Sequence, residues 1–213
     1  MLKGKLQSEL FYCNHLGVSE NDERDIMNFV IRDEKGAGLL DYIQHIAFLD
    51  EEAGTMRTYI IRDNRSSELV GYFSLKAGLI SYNEHDVAVV DEATGEEKID
   101  ETTGETVMRR VFDTLPGVEL ADFAVNQAYI KNHPDLKGVG LVIYNKFILP
   151  VIREAAETIG IKIIYLFALP YTELISRYMK YGFSRLNPQY EAELHTRLKP
   201  DYDESCVFMY RML

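Results

Sequence analysis

The sequence predicts an α/β fold, a single layered domain built on a mixed, mostly antiparallel sheet flanked by helices. Three observations predict it. Short β-branched apolar runs such as TYIIR (58–62) and IKIIYLFA (161–168) read as strands. Longer segments carry apolar residues at helical spacing, above all 139–159. The two kinds interleave along the chain, with a pair of neighbouring strands at 58–80 and a strand–helix–strand unit after residue 117.

In chain order, 5–12 alternates loosely and reads as a first strand. Ser19, followed by Glu20, Asp22 and Glu23, is a helix start, and Ile26, Phe29 and Val30 continue it at helical spacing. Gly36 and Gly38 break that helix. Leu39, Leu40, Ile43, Ile46 and Ala47 restart the period, and Gly54 closes it. Residues 58–62 and 69–80 form an antiparallel hairpin around the turn Asp63-Asn64-Arg65-Ser66. Residues 117–126 are the next strand, 129–140 a loop, and 139–159 a long helix bent near Lys146–Pro150 because proline lacks an N–H. Gly160 ends it. Residues 161–168 make a strand buried on both faces, 172–181 a short helix, and 206–212 a last strand.

Residues 83–116 differ in kind. Asp91–Glu105 holds seven acidic residues and one lysine, and DEATGE at 91–96 is echoed by DETTGE at 100–105. The D-x-[DN]-x-[DN]-G calcium-loop pattern is absent, so the segment reads as a solvated insertion or protruding hairpin within one domain spanning 1–213.

The chain of 213 residues has a formal charge of −11. A polyanion meets average repulsion, so nucleic acid is an unlikely partner, while a cationic or amine substrate is attracted. Two distant cysteines, Cys13 and Cys206, and an N-terminus without an apolar core predict a reduced, cytoplasmic protein. No apolar run approaches the roughly 18 residues that span a bilayer. The five histidines are scattered, and no metal site is expected.

Strand, loop, Gly-x-Gly and helix follow one another at 118–159. A helix N-terminus collects unpaired N–H groups and a partial positive charge, and Gly138 and Gly140 allow close backbone approach, so an anion such as phosphate fits there. Lys131, His133 and Lys137 lie in the same loop. The alternative is a tight turn that needs glycine for its own sake. Position 143 is Ile and no Gly-Lys-Ser/Thr follows, which disfavours a dinucleotide fingerprint and a Walker A loop.

Taken together, VELADFAV (118–125), DLKGVG (135–140) and SRYMKYGF (176–183) resemble the central strand, pyrophosphate loop and late helix of the GNAT superfamily of N-acetyltransferases. The resemblance covers roughly 58–183 and the closing strand. It departs at Asp135, where the family prefers Gln or Arg, at Tyr171, where many members carry Asn, and in about five extra residues between Val125 and Gly138.

The resemblance implies a GNAT-like acyltransferase fold and direct acetyl transfer from acetyl-CoA, as co-substrate, to a primary amine of a small molecule or protein. Its alternatives are a toxin-type branch that acetylates aminoacyl-tRNA, and a non-catalytic CoA-binding or interaction module. It implies that Tyr178 protonates the leaving thiolate and that Glu119 is the best general-base candidate. Asp122, three residues on, falls on the opposite face by strict alternation. It implies that main-chain groups of Phe123, Ala124 and Val125 meet the pantetheine arm. Lys137, Gly138, Val139, Gly140 and Leu141 meet the pyrophosphate, and Tyr171 lies beside the cofactor. Tyr12, Tyr42 and Phe48 wall an acceptor pocket or simply fill the core. A homodimer is left open.

Overall fold

The structure, a computed structural model, describes residues 6–198 and 205–213. The N-terminal alternation resolves into two strands, β1 (Leu6–Gln7) and β2 (Phe11–His15), and Lys5 lies outside the described residues. Helix α1 (Asp22–Ile26) stops short of the predicted end. Past it, Phe29 is buried and Val30 bonds main chain to Gln127, so the apolar spacing there serves an extended link rather than a helix. A 3₁₀ turn, Glu34–Gly36, leads into α2 (Ala37–Asp41), a π turn at Tyr42–Ile46 and α3 (Ala47–Ala53). Gly38 is therefore inside a helix, while Gly54 caps α3 with φ of 73°.

Then come β3 (Arg57–Asp63), β4 (Leu69–Ala88) and β5 (Met108–Val125). The last two are 20 and 18 residues long, well beyond the apolar stretches that announce them. Helix α4 (Gln127–Asn132), capped by the Asn126 side chain, absorbs the extra residues read as loop. Helix α5 (Val139–Ile143), a π turn (Tyr144–Ile148) and α6 (Leu149–Ile159) run on as one helix. The π turn falls just before Pro150, where the i−4 bond is missing in any case. Strand β6 (Ile163–Ala168), α7 (Thr172–Lys180), β7 (Ser184–Arg185), α8 (Pro188–His195) and β8 (Val207–Met212) complete the chain.

Among the described residues eight strands form one sheet in the order β1-β2-β3-β4-β5-β6-β8-β7, antiparallel except for the parallel β5–β6 pair. One face packs on α4–α7 through Phe73, Leu120, Ile143, Phe147 and Leu166. The other packs on α1–α3 through Ile26, Ile43, Ile60 and Tyr72, and on α8 through Leu194, Phe167 and Phe208. A buried ion cluster pins α1 to the sheet: the Arg62 guanidinium donates to Asp22 and Asp25, each at 2.7 Å. Cys13 and Cys206 are both buried, and neither is in a disulfide. Among the described residues no helix is long and apolar enough to cross a membrane.

Candidate active site

The parallel pairing of β5 with β6 lasts for three residue pairs, Gly117–Ile163, Val118–Ile164 and Glu119–Tyr165. Beyond Glu119 the strands part, and the rest of β5 keeps only β4 as a ladder neighbour. The Asn126 N–H donates to the Val70 carbonyl, so ladder alternation pairs Ala124 with Tyr72 and turns the main chain of Phe123 and Val125 away from β4. The edge expected over Phe123, Ala124 and Val125 thus narrows to Phe123 and Val125. The Ala124 side chain is buried under α2 and α3.

The opening lies beside the N-terminus of α5. Gly138 is its N-cap, with φ of 70°, the left-handed region that favours glycine. Nothing lies within 4 Å of a Cβ placed there, so Gly138 serves conformation rather than clearance. Gly140 differs. A Cβ there would sit 3.1 Å from the Tyr181 hydroxyl, 3.7 Å from the Phe123 ring and 3.9 Å from Val125. The loop glycine, the open edge of β5 and the end of α7 therefore meet at one point. Val139 is buried, Leu141 exposed and Lys137 exposed. Of the three basic residues in this loop, His133 stacks on Tyr129 and contacts Glu68 at 3.0 Å, while Lys131 and Lys137 are exposed. Beside Leu141 a cleft of about 600 Å³ is lined by Asn145, Lys180, Tyr181 and Arg211.

Tyr178 packs from α7 onto the helical core, edge-on to Tyr181 and Phe183 at 6.0 and 5.7 Å. Burial, then neighbouring Tyr181, hold its phenol above the ordinary range, and Asp122 adds to the effect. Tyr171 caps the start of α7 and carries the Lys35 ammonium 3.7 Å over its ring, a contact from the α1–α2 link to the loop after β6.

The register corrects the placement of the two acids. Ser74 faces Asp122 and Leu75 faces Leu120, so Ala121 is an extra residue, a β-bulge in β5. Strict alternation sends Glu119 and Asp122 to opposite faces. The bulge cancels one step, and both lie on the face of Ser74 and Lys76, their cross-strand partners. Burial raises the Asp122 carboxyl to about 7, against a hydrogen bond from Ser74 and with help from the charges of Glu119 and Asp50. Ser74 continues a polar line through Thr58, at 3.4 Å, to the Tyr42 hydroxyl, at 3.0 Å. The Tyr165 hydroxyl donates to Glu119 and lies over Gly78, where a Cβ would clash with it, while the edge of its ring comes within 3.2 Å of a Cβ placed at Gly117.

Sequence reasoning missed Ser74 and Tyr165. The facing pair Gly78–Gly117 is the one signal that points to Tyr165, since a large side chain must lie where two glycines oppose each other. The aromatic wall does not assemble as expected. Tyr42 is buried, Phe48 on α3 packs partly buried against the same core cluster, and Tyr12 lines a separate polar cavity of about 440 Å³ with Arg24, Glu68 and Tyr129. Among the described residues no group of three or more His, Cys, Asp or Glu is placed to hold a metal ion.

No protein-family model and no curated protein sequence matches the chain. Solved structures do. A tyrosine-to-phenylalanine mutant of KacT matches with a TM-score of 0.61 at 14% identity, over 96% of this chain and 95% of that one. AtaT complexed with acetyl-methionyl-tRNAfMet matches at 0.57 and 15%, over 93% of each chain. AtaTR bound with AcCoA matches at 0.55 and 16%, over 94% and 93%. The chain has the GNAT-like acyltransferase fold that the motif order predicts.

Proposed function

We propose that the protein transfers an acetyl group from acetyl-CoA directly to a primary amine. The observation that carries this reading is the parting of β5 from β6 beyond Glu119, beside the Gly138-capped start of the 139–159 helix. An open strand edge suits an amide-bearing arm, and first-turn N–H groups suit a pyrophosphate. Lys180 and Arg211 in the adjoining cleft supply positive charge for a polyanionic co-substrate. AtaTR, of the same fold, is bound with AcCoA.

Asp122, raised to about 7, takes the proton from the incoming ammonium. It replaces Glu119 as the general base of this reading, because Glu119 is engaged by Tyr165 and its charge raises Asp122. The amine attacks the thioester carbonyl, whose oxygen a main-chain N–H of Phe123 or Val125 stabilises. The C–S bond breaks, and Tyr178, held protonated by burial, gives its proton to the thiolate. As the tetrahedral adduct collapses its nitrogen gives its second proton to water, a proton returns from water to Tyr178, and Asp122 releases its own to solvent. No covalent link to the protein forms.

The acceptor has two readings. The −11 charge favours a small cationic amine or a protein amine. The AtaT complex with acetyl-methionyl-tRNAfMet favours the amine of an aminoacyl-tRNA, and it weakens the expectation that nucleic acid is an unlikely partner. Titration calorimetry with acetyl-CoA, with CoA and ATP alongside, tests the site. Micromolar binding with ATP far weaker supports it, and no binding at millimolar concentration overturns it. Acetyl release in the presence of polyamines, lysine peptides and charged tRNA then separates the acceptors.

A further inference from the structure

The ladder of β4 and β5 runs out past the sheet to Ala88 and Met108, and the nineteen residues between build a second small motif. Asp91 and Asp100 each accept two main-chain N–H bonds in their turns, and Gly95 and Gly104 take φ of 74° and 73°. The repeat spacing is nine residues, so Val89, Lys98 and Val107 are equivalent. Their main chains close a ring: Val89 N–H to Val107, Val107 N–H to Lys98, and Lys98 N–H to Val89, each at 2.8 Å. Two acidic turns and the arm itself therefore meet as three hairpins around a pseudo-threefold axis.

Equivalence about that axis puts Val90, Ile99 and Met108 on the same face of the junction. They are 50%, 54% and 54% exposed. Single exposed apolar residues are ordinary, but the same position repeated three times around a ring makes a patch. The two turns that flank it in the chain carry Asp91, Glu92, Asp100 and Glu101. The arm below is braced, with Glu84 bonded to Arg110 and Arg197, and Arg197 lying 4.3 Å over Phe112. A braced patch loses little order on binding.

We propose that this three-hairpin tip docks a cationic protein segment in which apolar side chains are interleaved with lysines or arginines. Charge chooses the occupant. Seven acids against one lysine at 91–105 repel nucleic acid, an anionic membrane and the same tip of a second copy, and attract a basic chain. The apolar trio then anchors it, and the carboxylate rim sets its register. Nothing in this depends on acetyl transfer.

The test uses the full chain with three synthetic peptides of equal length, Lys/Leu, Lys/Ser and Glu/Leu, read by fluorescence anisotropy. The Lys/Leu peptide binds, the other two bind at least about tenfold more weakly, and the triple variant Val90→Ser, Ile99→Ser, Met108→Ser loses at least about tenfold. Glu92→Gln with Glu101→Gln reduces the salt dependence of binding. A control at a still more exposed apolar site on α6, Ile159→Ser, leaves it unchanged. Equal binding of Lys/Leu and Lys/Ser, or unaltered binding by the triple variant, overturns the proposal. So does concentration-dependent self-association that the triple variant abolishes, which would assign the face to a second copy.

Discussion

Strand β5 does opposite things at its two ends. At its C-terminal end it loses a neighbour, β6, inside the core, and main-chain groups are left facing a cleft. At its N-terminal end it keeps its partner β4 for seven residue pairs beyond the last core pair, Ile80–Leu115, and side chains are left facing water. Each end also carries a one-residue bulge. Ala121 brings two carboxylates to one face, and Asn83, with φ of 47°, breaks the β4 register at the root of the arm. A site made from missing hydrogen bonds sits where the surroundings are packed. A surface made from surplus side chains sits where nothing covers it.

Deleting Ala121 breaks the first half of that contrast most severely. Pairing without the bulge rotates either 108–120, turning Leu120 and Val118 off the helical core, or 122–125, turning Asp122 into it. The cost is on the order of 5 kcal/mol or more, and loss of the cooperative thermal transition is the expected result. A deletion variant that melts like the parent would mean that the bulge is incidental.

Asp122→Asn comes next. It removes the proposed base, and kcat/KM falls about a hundredfold at pH 8. In the parent, kcat/KM rises as pH passes about 7, and the variant is flat there. Stability moves the other way. The folded carboxyl is raised from 3.8 to about 7, so the folded state binds a proton that the unfolded chain releases in that window. The Asp122 contribution is therefore most favourable below 3.8 and is lost as pH rises to about 7. Asp122→Asn should melt higher than the parent at pH 8, while Glu119→Gln should lower the pH at which the parent's activity rises. Melting curves that shift in parallel at pH 5 and 8 would remove the acid from the interior.

These acids mark the boundary of what the sequence discloses. Buried strands and the 139–159 helix are legible because Ile163–Ala168 is an unbroken β-branched and aromatic apolar run and the apolar side of that helix recurs at helical spacing. The outer reaches of β4 and β5 were not, because residues such as 81–86 face water on both sides and leave no apolar alternation to read. Helix α4 is six residues long and its start signal, Asn126, sits at a strand end. Helix α8 has a local start signal in Asn187-Pro188, a cap followed by proline in the first turn, but little apolar periodicity behind it. Nothing in VELADFAV announces that Ala121 is the extra residue. That single position decides whether Asp122 belongs to the site.

Tyr178→Phe sharpens the comparison within the cleft. The ring keeps its contacts with Tyr181 and Phe183, so acetyl-CoA affinity stays within about twofold while kcat falls between about ten- and a hundredfold. A fall in affinity with kcat preserved would make the residue packing rather than proton donor. Gly138→Val has a smaller effect of another kind. A β-branched residue at φ of 70° strains the cap without touching a neighbour, so acetyl-CoA binding weakens by about tenfold while kcat at saturation holds. Unchanged affinity would leave the loop a purely structural turn.

The smallest expected effect comes from the other end of β5. Replacing residues 89–107 by Asn-Gly joins Ala88 to Met108, which already face each other, through a two-residue turn whose twist suits a hairpin. The ring of three main-chain bonds, both acidic turns and much of the negative charge disappear together. No buried core residue lies in the replaced stretch, so the melting temperature should change by only a few degrees. With a neutral or small amine, kcat/KM should stay within about twofold, since the cleft groups sit on β5 beyond Gly117, at the opposite end of the ladder. With cationic acceptors a modest rise in KM is expected, because part of the attracting field is gone. A collapse of activity toward every acceptor would mean that the arm folds back on the cleft, and the division of labour along β5 would be wrong.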